Sequence, residues 1–70
     1  MWYLALTDGP VRRTVHLSDE VAVDVDERET VIGVEFLSAL TAIAPDVRKA
    51  LFERFPVVRE ALVKLHAAVA

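Results

Sequence analysis

The stretch VAVDVD, residues 21–26, places three valines on one side of an extended chain and two aspartates on the other. This two-residue period is typical of a half-buried β-strand. The polar residues 27–30 follow, and then a second alternating run, TVIGVEFL, at residues 30–37. In that run Ile32, Val34 and Phe36 share one face. We therefore predict that these two runs are neighbouring β-strands, and the rest of the fold is worked out from them.

Two more alternating runs precede this centre, at residues 2–7 and 11–17. Asp8-Gly9-Pro10 separates them, and glycine and proline are the residues that turns require. Parallel neighbours would need long crossover connections, whereas the links between these runs are short. The four runs therefore predict a four-stranded antiparallel β-meander.

The hydrophobic period changes after Leu37, where helical spacing begins. Ser38 can cap a short helix that reaches about Ile43, and Pro45 then breaks the backbone hydrogen bonding. Pro45 suits the first position of a second helix over 45–54, and Pro56 opens a third in the same way. We therefore predict one α+β domain over residues 1–70, with the antiparallel sheet in 1–37 and a tail of two or three short helices in 38–70.

The chain carries more hydrophobic residues than a small domain normally hides. They make up 54% of only 70 residues, and small domains have much surface and little interior. Surplus apolar surface on a soluble protein usually marks a contact with another macromolecule. We therefore predict a homodimer formed by the helical tail, with the following residues at or near the interface: Phe52, Phe55, Val58, Leu62, Leu65 and Val69.

Charge is unevenly distributed along the chain. Residues 1–37 hold three arginines and eight acidic residues, a net charge of −5, whereas residues 38–70 carry +2. Nucleic-acid binding depends on clustered basic residues that neutralise phosphates, so we expect none. One alternative remains open, a DNA-binding regulator that uses the two tail helices, whose basic residues are Arg48, Lys49, Arg54, Arg59 and Lys64.

The chain contains no cysteine, which excludes disulfides, thiolate metal sites and cysteine nucleophiles. A reducing cytoplasm is therefore the expected location. The apolar run at residues 1–6 is too short for a signal peptide or a membrane span, so we expect no membrane association. The composition also suggests a bacterial or phage origin. No motif in the sequence predicts a cofactor.

Three acidic residues match part of a calcium-binding loop. Asp24, Asp26 and Glu35 fall at positions one, three and twelve of a twelve-residue count, where oxygen ligands belong. Arg28 and Glu29 occupy positions five and six, and position six needs a glycine. We therefore interpret the three acidic residues as a solvated strand face and predict no metal site.

His16, Ser18 and Asp19 contain the residue types of a hydrolytic triad. No glycine-rich turn accompanies them to form an oxyanion hole, so we expect neither a catalytic residue nor an enzyme. The glycines have structural interpretations. Gly9 fits the turn, and Gly33 predicts a close approach by a helix or a neighbouring strand.

Residues 2–9, 21–26 and 31–37 together resemble a small bacterial family known as domain of unknown function 2283. The resemblance covers residues 2–37 and leaves the helical tail outside. It departs from the family at Glu29-Thr30, where members usually have Asp-Gly, so we expect a wider or bulged hairpin. Some members resemble partners encoded beside toxin-like proteins. The resemblance therefore implies an alternative function, an antitoxin-like or phage-encoded partner that binds and regulates a specific protein.

Overall fold

The computed structural model describes the backbone of residues 1–39 and 42–69 and the side chains of residues 1–39 and 42–65. Four strands come first: β1 (Trp2–Ala5), β2 (Arg13–His16), β3 (Val21–Val25) and β4 (Val31–Phe36). Two helices follow, α1 (Pro45–Arg54) and α2 (Pro56–Val69). The predicted α+β class is confirmed, with one antiparallel sheet followed by helices.

The strand order in the sheet is β1-β4-β3-β2, and every neighbouring pair is antiparallel. The consecutive strands β2, β3 and β4 form the predicted meander. β1 differs from a simple meander, because it pairs with β4 and not with β2. This is the Greek key order, in which a longer connection returns one strand to the far side of a three-stranded unit. The arrangement places the most apolar strands, β3 and β4, at the centre.

A stacked aromatic pair joins β1 to β4. Trp2 lies opposite Phe36 in the register, and their ring centroids are 4.3 Å apart at an interplanar angle of 16°. Stacked rings of this kind add stabilisation beyond the area that they bury. Pairing with β4 therefore gives β1 an aromatic partner, whereas the residue of β2 that packs against the core is Val15.

The hairpin between β3 and β4 is bulged, as its departure from the family pattern predicts. The register shifts between Asp24 and Val25, so that Val25 pairs with Val31. Glu29 adopts a left-handed backbone conformation with φ of 65°, which is unusual for a residue with a side chain. Gly9 also has positive φ, at 147°, a conformation that glycine adopts more readily than other residues.

The helices cover one face of the sheet. Leu51 of α1 and Val58 of α2 are fully buried against the inward side chains of β3 and β4, among them Val23, Val34 and Phe36. Both helices begin at the predicted prolines, and α1 has the predicted bounds. The short helix predicted over residues 38–43 includes residues 40 and 41, which lie outside the described residues.

Candidate interaction surface

The predicted interface residues divide according to their burial. Phe55 and Val58 lie in the chain's own core, and Phe52 and Leu62 are partly buried against it. Leu65 is exposed. The side chain of Val69 lies outside the described residues. Within the described residues, the helical tail therefore covers its own sheet with its first part and presents Leu65 to solvent farther along.

The apolar stripe of α2 leaves the core as the helix proceeds. Val58, Leu62 and Leu65 stand at i, i+4 and i+7, which places them on one face of the helix. Val58 is 0% exposed, Leu62 is partly buried and Leu65 is 46% exposed. The helix continues to Val69, and the sequence continues the stripe with Ala68 and Val69. The same face thus begins as core and becomes surface within two turns.

The opposite side of α2 carries most of its charge. A shallow groove there is lined by Arg59, Glu60, Val63 and Lys64. Val63 is the one apolar member, and it is 59% exposed. This side is mixed in charge, so it contrasts with the apolar stripe on the other side of the helix.

The basic residues of the tail do not form one uniform basic face. Lys49 lies 3.9 Å from Glu53, and the Arg54 guanidinium lies over the Phe55 ring at 5.4 Å from its centroid. Arg59 and Lys64 share their groove with Glu60. Acidic groups are therefore interspersed among the basic groups along the described part of the tail.

The outer face of the sheet carries a hydrogen-bonded polar row. The Tyr3 hydroxyl donates to Asp24 Oδ2 at 3.0 Å, and the Thr14 hydroxyl donates to Asp24 Oδ1 at 2.7 Å. These side chains come from β1, β3 and β2, so the row spans the whole sheet. Burial of the Tyr3 hydroxyl, its hydrogen bond to Asp24 and the nearby carboxylate charges raise the pKa of Tyr3 above its usual 10.0. Tyr3 therefore stays a neutral donor at physiological pH.

Gly33 lets the Tyr3 ring lie flat across β4. A Cβ atom placed on Gly33 would stand 2.1 Å from the Tyr3 hydroxyl oxygen and 2.3 Å from Cζ. The prediction that a neighbouring strand approaches Gly33 closely is confirmed. The approaching group is a side chain, and it reaches Asp24 because Gly33 leaves the path open.

We expect a Gly33→Ala substitution to lower the free energy of unfolding by about 1–3 kcal/mol, since the new methyl group displaces the Tyr3 ring and breaks its hydrogen bond. In a Tyr3→Ala background the same substitution should cost less than about 0.5 kcal/mol, because nothing is displaced. Urea denaturation of the four proteins in this cycle measures the coupling. Equal costs in both backgrounds would show that the ring does not occupy this position.

The three acidic residues of the calcium-like pattern have different surroundings. Asp24 accepts the hydrogen bonds from Tyr3 and Thr14, while Asp26 Oδ1 accepts backbone hydrogen bonds from Arg28 and Thr30. Asp26 thereby holds the bulged turn, and Glu35 is exposed on the outer face. Among the residues that the structure describes, no three His, Cys, Asp or Glu side chains are grouped so as to hold a metal ion.

The three residue types of the triad lie around the turn between β2 and β3. The Ser18 hydroxyl accepts a hydrogen bond from the Glu20 backbone N–H at 3.1 Å. His16 and Asp19 are exposed. The hydrogen bonding of Ser18 is therefore that of a turn residue.

Sequence reasoning missed the partner of β1. A four-stranded meander places β1 at an edge beside β2, whereas in the structure β1 lies at the edge beside β4, and β2 forms the other edge. A strand pattern gives the faces of a strand but not its neighbours, so the sequence held no signal for this pairing.

No helix in the described part of the chain is long and apolar enough to span a membrane. Searches of curated proteins and of solved structures gave no match. The model of the family described as "Protein of unknown function (DUF2283)" matches residues 1–39, which comprise the whole sheet and the three residues that follow β4. The chain therefore belongs to the DUF2283 family, with its two helices outside the matched region.

Proposed function

We propose that this protein is a non-catalytic interaction module that forms a homodimer through the C-terminal part of α2. The observation that carries the proposal is the passage of one helical face from full burial at Val58 to 46% exposure at Leu65. A face that continues an intact hydrophobic core into solvent is suited to contact with another chain. The lack of cysteine supports a reducing compartment such as the cytoplasm.

A second copy is the occupant that this face fits best. An antiparallel pairing of two α2 helices about Leu62 is isologous, so each contact from one chain to the other is repeated across a two-fold axis. The apolar stripe of each copy is then covered by the stripe of the other, and the charged side of each helix stays in water.

We expect a Leu65→Glu substitution to halve the mass of the assembly, because it places a charge on the helical face that is buried and desolvated in the contact. Val63→Glu is the matched control, since it adds the same charge to the same helix on the opposite side. Size-exclusion chromatography with light scattering measures both masses, and circular dichroism checks that both variants are folded. An unchanged mass for Leu65→Glu would contradict the proposal, and so would an equal loss for both variants.

A further inference from the structure

The two edges of the sheet differ in their protection against pairing with another strand. The β2 edge carries exposed Arg12, Arg13 and His16. The β1 edge carries no charged side chain from Met1 to Thr7, and no proline. Natural sheets commonly protect their edges with charges, bulges or prolines, because an open edge presents unpaired N–H and C=O groups. The β1 edge has neither a charged side chain nor a proline, and its irregularity lies beyond Ala5, where the Leu6 and Thr7 amides both donate to the Ile32 carbonyl.

The backbone register shows which groups of β1 face outward. Leu6 N–H donates to the Ile32 carbonyl at 2.9 Å, so Leu6 and Ile32 form a hydrogen-bonded pair with β4. Such pairs alternate along an antiparallel ladder, which makes Leu4 and Trp2 the next residues that bond to β4. The N–H and C=O groups of Tyr3 and Ala5 therefore point away from the sheet.

We propose that β1 is a second self-association surface, at which two copies pair antiparallel about Leu4 and join their sheets into one. In this register Tyr3 pairs with Ala5 of the partner subunit, and Ala5 pairs with the partner's Tyr3. These are the residues whose backbone groups point outward, so each pair exchanges both of its hydrogen bonds. A large side chain also meets a small one in each pair.

The inner side chains of β1 fit the same two-fold register. Leu4 meets its own counterpart, and Trp2 meets Leu6 of the partner subunit. All three are only partly buried against the core in the single chain. Pairing thus extends the apolar face of the sheet across the junction, and cross-strand contacts between such side chains stabilise a sheet.

Charge does not oppose this pairing. Glu35 lies opposite Tyr3 on β4, whereas Gly33 lies opposite Ala5. The two copies of Glu35 therefore fall in different rows, three strand spacings or about 14 Å apart across the joined sheet. This separation exceeds the screening length of about 8 Å at physiological ionic strength.

The proposal is independent of the contact through α2, and the test separates the two. Ala5→Pro removes an outward N–H and places a ring on the edge, while the hydrogen bonds to β4 stay intact. Ala5→Val is the control that keeps the N–H group. With both contacts present, the wild-type chain assembles beyond a dimer. We therefore expect Leu65→Glu to leave a dimer held by β1, and we expect Leu65→Glu with Ala5→Pro to be a monomer, while Leu65→Glu with Ala5→Val remains a dimer. Light scattering at tens of micromolar protein measures each mass.

A monomeric Leu65→Glu variant overturns the pairing of copies at β1 and leaves that edge to a strand from another protein. If Leu65→Glu keeps the wild-type mass, the contact through α2 fails, and a lower mass for Ala5→Pro alone than for Ala5→Val supports β1. If the proline variant does not fold, amide hydrogen exchange of the Leu65→Glu protein tests the pairing at β1 instead. The amides of Tyr3 and Ala5 should then exchange slowly and lose protection on dilution. Fast exchange of both amides at high protein concentration overturns the proposal.

Discussion

A Phe36→Ala variant is expected to lose a large share of its free energy of unfolding. Phe36 is fully buried in the central strand β4 and stacks on Trp2. Truncation of a buried phenylalanine costs about 3–5 kcal/mol. At roughly 0.05–0.15 kcal/mol per residue, a chain of 70 residues has a total stability of about 4–10 kcal/mol. One side chain therefore supports a large share of the free energy of unfolding.

Urea denaturation followed by tryptophan fluorescence measures this loss, because Trp2 is the only tryptophan and lies on the Phe36 ring. Leu37→Ala is the matched control, since Leu37 is the next residue and is exposed. It should change the free energy of unfolding by less than about 0.5 kcal/mol. Both variants need the same protein concentration, because self-association contributes to apparent stability. A loss below about 1 kcal/mol for Phe36→Ala would contradict the core described above.

A Val58→Asp substitution should be as damaging as the loss of Phe36. Val58 is fully buried where α2 meets the core, so the new carboxylate would lie in an apolar site without a partner. The loss of the buried valine adds about 1.5–3 kcal/mol. We expect a total above about 3 kcal/mol, enough to detach α2 or unfold the domain.

Val57→Asp is the control for this prediction. Val57 is the preceding residue in the same helical turn and is 44% exposed. An aspartate there lies near the positive end of the helix dipole, so it should be neutral or slightly stabilising. Thermal unfolding by circular dichroism compares the two. If Val58→Asp keeps its stability while the assembly loses half of its mass, Val58 belongs to a contact between chains and not to the chain's own core.

The elements of this fold could be predicted from local sequence because each has a strong local cause. The alternation in residues 21–26 gives β3, and Pro45 and Pro56 fix the starts of the two helices. The departure at Glu29-Thr30 also predicts the bulged hairpin. Propensity, pattern and turn chemistry agree at all these places, which is what a well-specified sequence requires.

The position of β1 could not be predicted in this way. Alternation shows that residues 2–7 form a strand, but the neighbour of a strand depends on contacts between distant residues. The stacking of Trp2 on Phe36 and the path of Tyr3 over Gly33 favour β4, and both contacts join residues about thirty positions apart. An interpretation that joins consecutive strands misses such contacts.

The candidate surface was predicted in part for a related reason. The stripe on α2 identifies the apolar face of the helix, but not where its own sheet stops covering that face. Val58 and Phe55 lie in the core of the chain, whereas Leu65, about two turns after Val58, is exposed. The length of the sheet relative to the helix decides this boundary, and no local pattern records it.

The central claim is that this chain has more apolar surface than its own core can cover, so that it associates with other copies. Sedimentation equilibrium of the wild-type protein over a wide concentration range tests it most directly. We predict a mass well above the 7.8 kDa of one chain, which falls toward that value only on strong dilution. A mass of 7.8 kDa throughout the range, up to the highest concentration, would contradict the claim.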